Sequence, residues 1–554
     1  MKSFSAATRQ SNIQAMKQQK FDLAIIGGGI TGAGVARDAA SRGMKVALIE
    51  ANDFAFGTSS RSSKLVHGGY RYLENLEFGL VFEALSERRL LFSMAPHLVH
   101  PLRFIFPIYE DSRLGMNKMG LGMLLYDTLA LFETPQMHER LGPSTTLSRL
   151  PFLRDQGLVG SYAYSDAYMD DDRLVVETLR SATDWGALCA NYTKAVGARF
   201  EGDQVKAIDC EDLESGERFE IQAQHFVSTV GPWTDRVGQS LLGTWQKLMR
   251  PSKGIHLTLP RDRVPVSSAV VMGADKQKRI VFLIPRHEMV IVGTTDTDFP
   301  DDPGEVCTKK EDVRYLLRIL DEYFPGAKLT EGDVISSYAG VRPLVHDDSL
   351  SESGTSREHL IHHDERNVTF VTGGKYTTYR HMSEQAVDAV LGFFSIEDRV
   401  RFARNRTKEP LNPLVTLEAY WKNERLVPRY QAQTGIGYEQ IKLLLDRHGL
   451  EAEQLMEIYL NLAETPDPWE RYWQAEALFA MENTMCLHLA DFYLRRSPLF
   501  LADRGRGAKF LSCLNATFAT QYGWNDAKQK EERDRLMAHV RRELAWMESI
   551  PVFE

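Results

Sequence analysis

Residues 21–50 read FDLAIIGGGITGAGVARDAASRGMKVALIE, and this stretch decides the fold. Its apolar opening has the length and composition of a buried parallel strand. Gly27, Gly29 and Gly32 then spell G-x-G-x-x-G. An alanine-rich helix is predicted over roughly Thr31–Arg42, and Gly43 stands where such a helix stops. MKVALIE makes a second strand that ends at Glu50. Each position has a physical task. Gly27 permits the tight turn, Gly29 lets a pyrophosphate approach the backbone, and Gly32 lets helix and strand pack closely. Gly28, Ile30 and Thr31 complete the turn and open the helix, whose N-terminus offers N–H groups and a positive dipole end to phosphates. Glu50, followed by Ala51, falls 23 residues after Gly27, where a carboxylate binds a ribose and rejects a 2′-phosphate. The unit predicts a dinucleotide site and leaves open whether the dinucleotide carries nicotinamide or flavin.

The rest of the composition narrows the class. A chain of 554 residues is long enough for two to four domains. Hydrophobic residues make up 43% and charged residues 25%, as in ordinary folded proteins. The formal net charge of −9 and the lack of a basic tract argue against a nucleic-acid partner. Cys189, Cys210, Cys307, Cys486 and Cys513 lie far apart without C-x-x-C, so neither a metal site nor a disulfide framework is expected. Residues 1–20 are polar and lack an apolar core, which predicts a disordered leader. No run of about eighteen apolar residues is present; the nearest approach, Leu114–Phe132, is broken by Asn117, Lys118 and Asp127.

Residues 57–73, GTSSRSSKLVHGGYRYL, are dense in hydroxyls, glycines and cations directly after the dinucleotide unit. This segment resembles, nearly residue for residue, the FAD-dependent glycerol-3-phosphate dehydrogenases of the D-amino-acid-oxidase-like superfamily. Thr58, Ser59, Ser62, Ser63, Lys64, His67, Gly68, Gly69, Arg71, Tyr72 and Leu73 match, while Tyr70 stands where leucine is usual. The likeness continues in YMDDDRLVVETL (168–179), STVGPWTD (228–235), AGVRPL (339–344) and VTGGKYTTYR (371–380). It implies FAD as cofactor, contacted by the 27–32 turn, Glu50, Ala51, Thr58, Ser59, Ser63, Lys64, His67, Gly68, Gly231, Gly340, Gly374, Lys375, Tyr376 and Thr377. Asp171 or Asp172 is read as a helix N-cap. The helix that follows GGKYTT is expected to aim its N-terminus at the flavin ring.

Flavin oxidation of a secondary alcohol needs a base for the hydroxyl proton and cations to orient an anionic substrate. In KGIHLTL, Ile255, Leu257 and Leu259 alternate with Gly254, His256 and Thr258, which puts His256 on the face opposite the apolar one. The resemblance implies that His256 is the base, with Arg342 beside it at the reacting centre. It implies further that Arg71, Tyr72, Arg342, Arg357 and Lys375 bind the substrate, and several converging cations suit a phosphate dianion. The family usually has serine before this histidine; here it is Ile255.

The expected fold is α/β plus α: a Rossmann-like FAD-binding domain, an antiparallel-sheet substrate domain and a helical C-terminal domain. The FAD domain is placed at 21–105, 160–250 and 336–398, and the substrate domain at 251–335 with 106–159 inserted. The helical domain covers 400–554. The resemblance implies oxidation of sn-glycerol 3-phosphate to dihydroxyacetone phosphate with electrons passed to a quinone. It implies a cytoplasmic protein, peripheral on the cytoplasmic face of the inner membrane; a homodimer is allowed. The apolar, Met-rich Leu114–Phe132 segment itself reads either as one able to dip into a bilayer or as an ordinary packed helix and loop. Two other readings stay open on the sequence: an oxidase acting on glycerol 3-phosphate with O2 or on an amino acid, and a flavoprotein without this chemistry.

Overall fold

The computed structural model describes residues 1–73, 76–275, 279–286, 289–346 and 359–548; for Arg71, Asn423 and Glu424 it describes the backbone alone. Two sheets and a helical region build the molecule. The first sheet runs in the order His359–Asp364, Val368–Gly373, Arg218–Ser228, Lys20–Ile26, Val46–Ile49, Leu188–Ala190. Its four central pairings are parallel, with Ile25 opposite both Val227 and Leu48. These strands are short and apolar because helices cover them, which is the condition for a parallel sheet. The helix Ile30–Ser41 packs against Asp171–Asp184 and Tyr379–Leu391. This is the predicted dinucleotide fold.

The second sheet has ten strands, mainly antiparallel, with one parallel contact between Ala269–Ala274 and Val99–Tyr109. Its centre is Ser252–Pro260, flanked by Met289–Gly293 and Ser336–Arg342, with His256 opposite Gly293 on one side and Tyr338 on the other. The expected hairpin of 280–286 with 289–296 is present as Arg279–Arg286 against Met289–Gly293.

Several boundaries differ from those read in the sequence. Leu65–Val66, Val99–Tyr109, Leu158–Met169 and Ser336–Arg342 all belong to the second sheet. Strand patterning shows that a segment is extended; it does not show which sheet receives its edge. Residues 6–18 form a helix rather than a disordered leader. Its buried residues are Ile13 and Met16, which join an apolar cluster, and the polar Arg9 and Asn12. Arg9 Nε donates to Asn191 O at 2.8 Å and pairs with Asp212, and Asn12 donates to Cys189 O at 2.9 Å. Phe4, fully buried, stacks on Phe54. The strand around His256 is buried along its whole length, so His256 is not on a solvated face. Asp170, not Asp171 or Asp172, occupies the cap position of its helix, and its side chain makes no capping bond.

The helices from Leu417 to Glu543 enclose their own apolar core around Tyr430, Leu444, Phe492 and Phe518. They are joined to the sheets by buried charge. Arg495 and Arg496 both hold Asp53, and Arg180 holds Glu451. Trp546 donates from Nε1 to Ser337 Oγ at 2.9 Å.

Candidate functional site

A cleft of about 740 Å³ runs between the two sheets. One end is the dinucleotide turn. Gly27 has φ +109°, and a Cβ there would stand 2.8 Å from Thr229 O. At Gly32 a Cβ would stand 1.9 Å from Gly27 O, so helix and strand pack as closely as the fingerprint requires. The helix starts at Ile30 without a side-chain cap from Gly29, leaving first-turn N–H groups available to an anion. Ser59 Oγ accepts from Ile30 N at 2.9 Å and so sits over that N-terminus. Glu50, also on the cleft, accepts from Gly28 N at 2.7 Å and Asn52 N at 2.8 Å. Burial raises its pKa, and the two N–H donors oppose that rise.

The cofactor loop is tied across the molecule. Thr58 Oγ1 donates to Val341 O at 2.6 Å, joining the loop to the strand that carries Arg342. His67 N donates to Thr377 Oγ1 at 3.2 Å, and Thr377 Oγ1 donates to His67 O at 3.3 Å. Gly68 N is held from behind by Tyr126 Oη at 3.0 Å and Asp166 Oδ1 at 3.2 Å.

The other end of the cleft gathers the predicted chemistry. His256 is buried; its Nε2 lies 2.8 Å from Ser63 Oγ, while Nδ1 has no hydrogen-bond partner among the described residues. Burial, then the charges of Arg342 and Lys64, lower its pKa to about 3. The ring is therefore neutral near pH 7. Arg342 donates to Thr294 Oγ1 at 2.9 Å, Thr295 O at 3.1 Å and Asp296 Oδ1 at 3.2 Å. Lys375 lines the cleft with its Nζ 3.6 Å from the centre of the Tyr72 ring.

Gly27, Gly29, Ile30, Thr31, Glu50, Ala51, Thr58, Ser59, Ser63, His67, Gly231, Gly340, Gly374, Lys375, Tyr376, Thr377, His256 and Arg342 all face this one cavity. Gly28, Gly32, Lys64, Gly68 and Tyr72 do not line it. The Lys64 ammonium is buried against Asp171 and over the Tyr338 ring. The Arg71 side chain and Arg357 lie outside the described residues. Arg61, Arg236, Asp302 and Lys194 also line the cleft, and sequence reasoning misses them. Arg61 sits inside the matched segment, at a position the family motif leaves variable. Lys194 and Asp302 lie in segments with no local motif.

The lining fits a flavin dinucleotide. A phosphate-accepting helix N-terminus and an acid for the ribose stand at one end. His256, buried with its Nδ1 unpartnered among the described residues, also lines this cleft.

Residues 22–380 match the family described as FAD dependent oxidoreductase, and residues 415–529 match the C-terminal domain of alpha-glycerophosphate oxidase. The chain is 34% identical over 537 residues to an aerobic glycerol-3-phosphate dehydrogenase of Staphylococcus haemolyticus, covering 95% of each chain. It is 35% identical to a glycerol-3-phosphate dehydrogenase of Mycobacterium leprae, covering 94% of this chain and 87% of that one. In three dimensions it is similar to the glycerol-3-phosphate dehydrogenase from Bacillus halodurans complexed with FAD. The TM-score is 0.79 at 25% identity, over 99% of this chain and 100% of the other. With well over half its length matched and its cleft built around the dinucleotide turn, the chain belongs to the FAD-dependent oxidoreductase family.

Proposed function

We propose that the protein oxidises sn-glycerol 3-phosphate to dihydroxyacetone phosphate. The observation that carries this reading is that His256, Arg342 and Lys375, distant in sequence, line the same cleft as the dinucleotide turn. Two cations that line one cleft with a neutral base suit a phosphate monoester better than a carboxylate, which one arginine satisfies. The Staphylococcus and Mycobacterium relatives are described as acting on this substrate.

Bound FAD supplies the acceptor for the two electrons and the hydrogen that leave C2. The residues supply the rest. Arg342 and Lys375 hold the phosphate and thereby aim C2 at the ring. His256 takes the C2 hydroxyl proton as the carbonyl forms, and its low pKa keeps it deprotonated until then. The buried setting excludes water from the transfer.

The electron acceptor in this reading is a quinone, reached at the surface of the cytoplasmic membrane. Leu114–Phe132 folds as the helix Met116–Leu129 and its exit, with Met119 and Met123 buried. Leu121 is 70% exposed and Phe132 55%. Leu76, Phe78 and Phe82, on and before the adjoining helix Phe78–Met94, extend the apolar surface. Such a surface suits a lipid interface. Among the described residues no helix is long and apolar enough to cross a membrane.

Anaerobic addition of glycerol 3-phosphate tests the substrate: the oxidised flavin absorbance should bleach. Bleaching by an amino acid instead would overturn the reading. Turnover with a soluble quinone but no peroxide in air is expected; stoichiometric peroxide would replace quinone with O2 as acceptor.

A further inference from the structure

Arg342 belongs to the strand Ser336–Arg342, yet its guanidinium is held by residues on the far side of the neighbouring strand Ser252–Pro260. We propose that Asp296 is a positioning residue for the substrate: with Thr294 and Thr295 it forms a turn that fixes the Arg342 guanidinium across Gly254, two residues before His256. This rests on the reading of Arg342 as a cation that binds the substrate's phosphate.

The turn is built by register. Met289–Gly293 and Thr297–Asp298 both pair with Ser252–Pro260, which puts Gly293 opposite His256 and Thr297 opposite Lys253. Between these anchors the central strand has two residues, Gly254 and Ile255, and the facing chain has three, Thr294, Thr295 and Asp296. One residue too many for the ladder is the condition for a β-bulge, which bends its strand and re-aims a side chain. The turn is also stitched to the strand it faces. Ile255 N donates to Thr295 Oγ1 at 3.1 Å, and Ser252 Oγ donates to Asp296 Oδ1.

The guanidinium meets all three residues of the turn. Nη2 donates to Thr294 Oγ1 at 2.9 Å and to Thr295 O at 3.1 Å, and Nη1 donates to Asp296 Oδ1 at 3.2 Å. Gly254 is the floor beneath it. A Cβ there would stand 2.4 Å from Nη2, 2.7 Å from Nη1 and 2.6 Å from Thr294 Oγ1. A strand position without a side chain is what lets the guanidinium cross at this point. Gly254 and His256 are two positions apart, so they lie on one face of the strand, and both line the cleft. Burial first, and then the Arg342 charge, lowers the His256 pKa, so the guanidinium is within electrostatic reach of the imidazole.

Accessibility divides the roles. Arg342 lines the cleft with its side chain 22% exposed, whereas Thr294, Thr295 and Asp296 do not line it. The turn therefore acts on a bound substrate through Arg342. A loose arginine side chain loses rotamer freedom when it grips a phosphate, and one already fixed loses little. Asp296 also offsets part of the arginine's charge, which by itself weakens the attraction for a dianion. Positioning and charge thus act in opposite directions on affinity, and removing the carboxylate tells them apart by sign.

Asp296→Ala, Asp296→Asn, Arg342→Ala and the double variant of Asp296→Ala with Arg342→Ala would each be purified with FAD. Each would be titrated with dihydroxyacetone phosphate, which cannot reduce the flavin, and the dissociation constant read from the oxidised flavin absorbance. For Asp296→Ala it should rise about 3- to 10-fold, the cost of fixing one long side chain on binding. Asp296→Asn keeps an acceptor for Nη1 and removes only the charge, so its dissociation constant should stay at or below that of the unmodified protein. In the Arg342→Ala background, Asp296→Ala should add nothing, because its effect passes through the arginine. An unchanged or lower dissociation constant for Asp296→Ala would overturn the proposal, and so would a further rise in the double variant. If Asp296→Ala does not retain FAD, Thr294→Val carries the same comparison, since it keeps the shape of the side chain and removes an acceptor from Nη2. Unchanged binding by Arg342→Ala would instead remove the reading of Arg342 on which the proposal rests.

Discussion

Arg61, on the wall of the cofactor cleft, is paired with Glu543, 482 positions away at the end of the helix Asp526–Glu543. The Glu543 side chain is 3% exposed and that of Arg61 16%. The same helix end accepts from Ser337 Oγ through Glu543 O, next to the strand that carries Arg342. The C-terminal helices thus brace the Arg61 side of the cleft from outside its lining.

Removing one partner of this pair should be felt at a distance. Glu543→Ala leaves Arg61 facing the cleft without its carboxylate, and breaking a buried pair costs about 3–5 kcal/mol. Because Arg61 reaches the solvent of the cleft, about 2 kcal/mol is expected, read as a lower thermal midpoint of the holoprotein. Glu543→Gln keeps a hydrogen-bond acceptor and should lose about half of that. Equal midpoints for Glu543→Ala and the unmodified protein would remove the C-terminal helices from any account of the cleft.

His256→Ala should retain FAD, because no part of the dinucleotide turn depends on the imidazole. Its turnover should fall by a factor on the order of 10²–10⁴, the usual contribution of a positioned base. Glycerol 3-phosphate should still bind to the oxidised flavoprotein and perturb its spectrum through Arg342 and Lys375. Loss of FAD together with activity would point to a structural role for the ring.

How much of this is legible in the sequence depends on how local the determinants are. The 21–50 unit is a local device: turn, helix, second strand and acid succeed one another, so spacing alone predicts it. The cofactor loop is also continuous, and the matched motifs around Gly340 and Lys375 bring their residues to the cleft. Contacts made across hundreds of positions leave no such trace. Nothing near Arg61 signals Glu543, and nothing in residues 6–18 signals that Arg9 and Asn12 will clamp the sheet edge at Cys189–Asp212. Lys64 reads as a cofactor contact because it sits in a matched run. The structure turns it inward, since its backbone takes a positive φ of 55° and its ammonium meets Asp171. Period-two patterning also misplaces His256: it reports which side chains are polar, and here a polar side chain is buried for its chemistry.

His488 gives the protein an alkaline limit. Burial alone would lower its pKa, but Glu214 at 3.1 Å and Glu532 at 2.9 Å outweigh that and raise it to about 9. A histidine whose folded pKa is raised contributes stability that is fully present below its unfolded value of about 6.5 and lost as pH rises through the folded value. The thermal midpoint of the unmodified protein should therefore fall between about pH 7 and pH 9. In His488→Gln, which has no charge to lose, that slope should be much shallower, from a lower starting midpoint. Parallel slopes for the two proteins would show that the clamp between Glu214 and Glu532 is not what titrates.

Tyr126 links the apolar helix to the cofactor loop. Its hydroxyl accepts from Gly68 N and donates to the Asp166 carboxylate at 2.8 Å, and Asp166 is in turn held by Arg88 at 2.5 Å. Tyr126→Phe keeps the ring in its packing against Tyr70 and Tyr164 but removes the oxygen. Gly68 N then keeps only the Asp166 contact at 3.2 Å, and the carboxylate loses a donor. The expected cost is about 1–2 kcal/mol of stability, read by denaturant unfolding. Because His67 and Gly68 lead directly to the Thr377 contact, amide exchange at residues 67–69 should accelerate. The His256 end should be spared, so flavin reduction should change by less than about threefold, within the range of a modest indirect effect. A collapse of the reduction rate with stability unchanged would instead place Tyr126 in the chemistry itself.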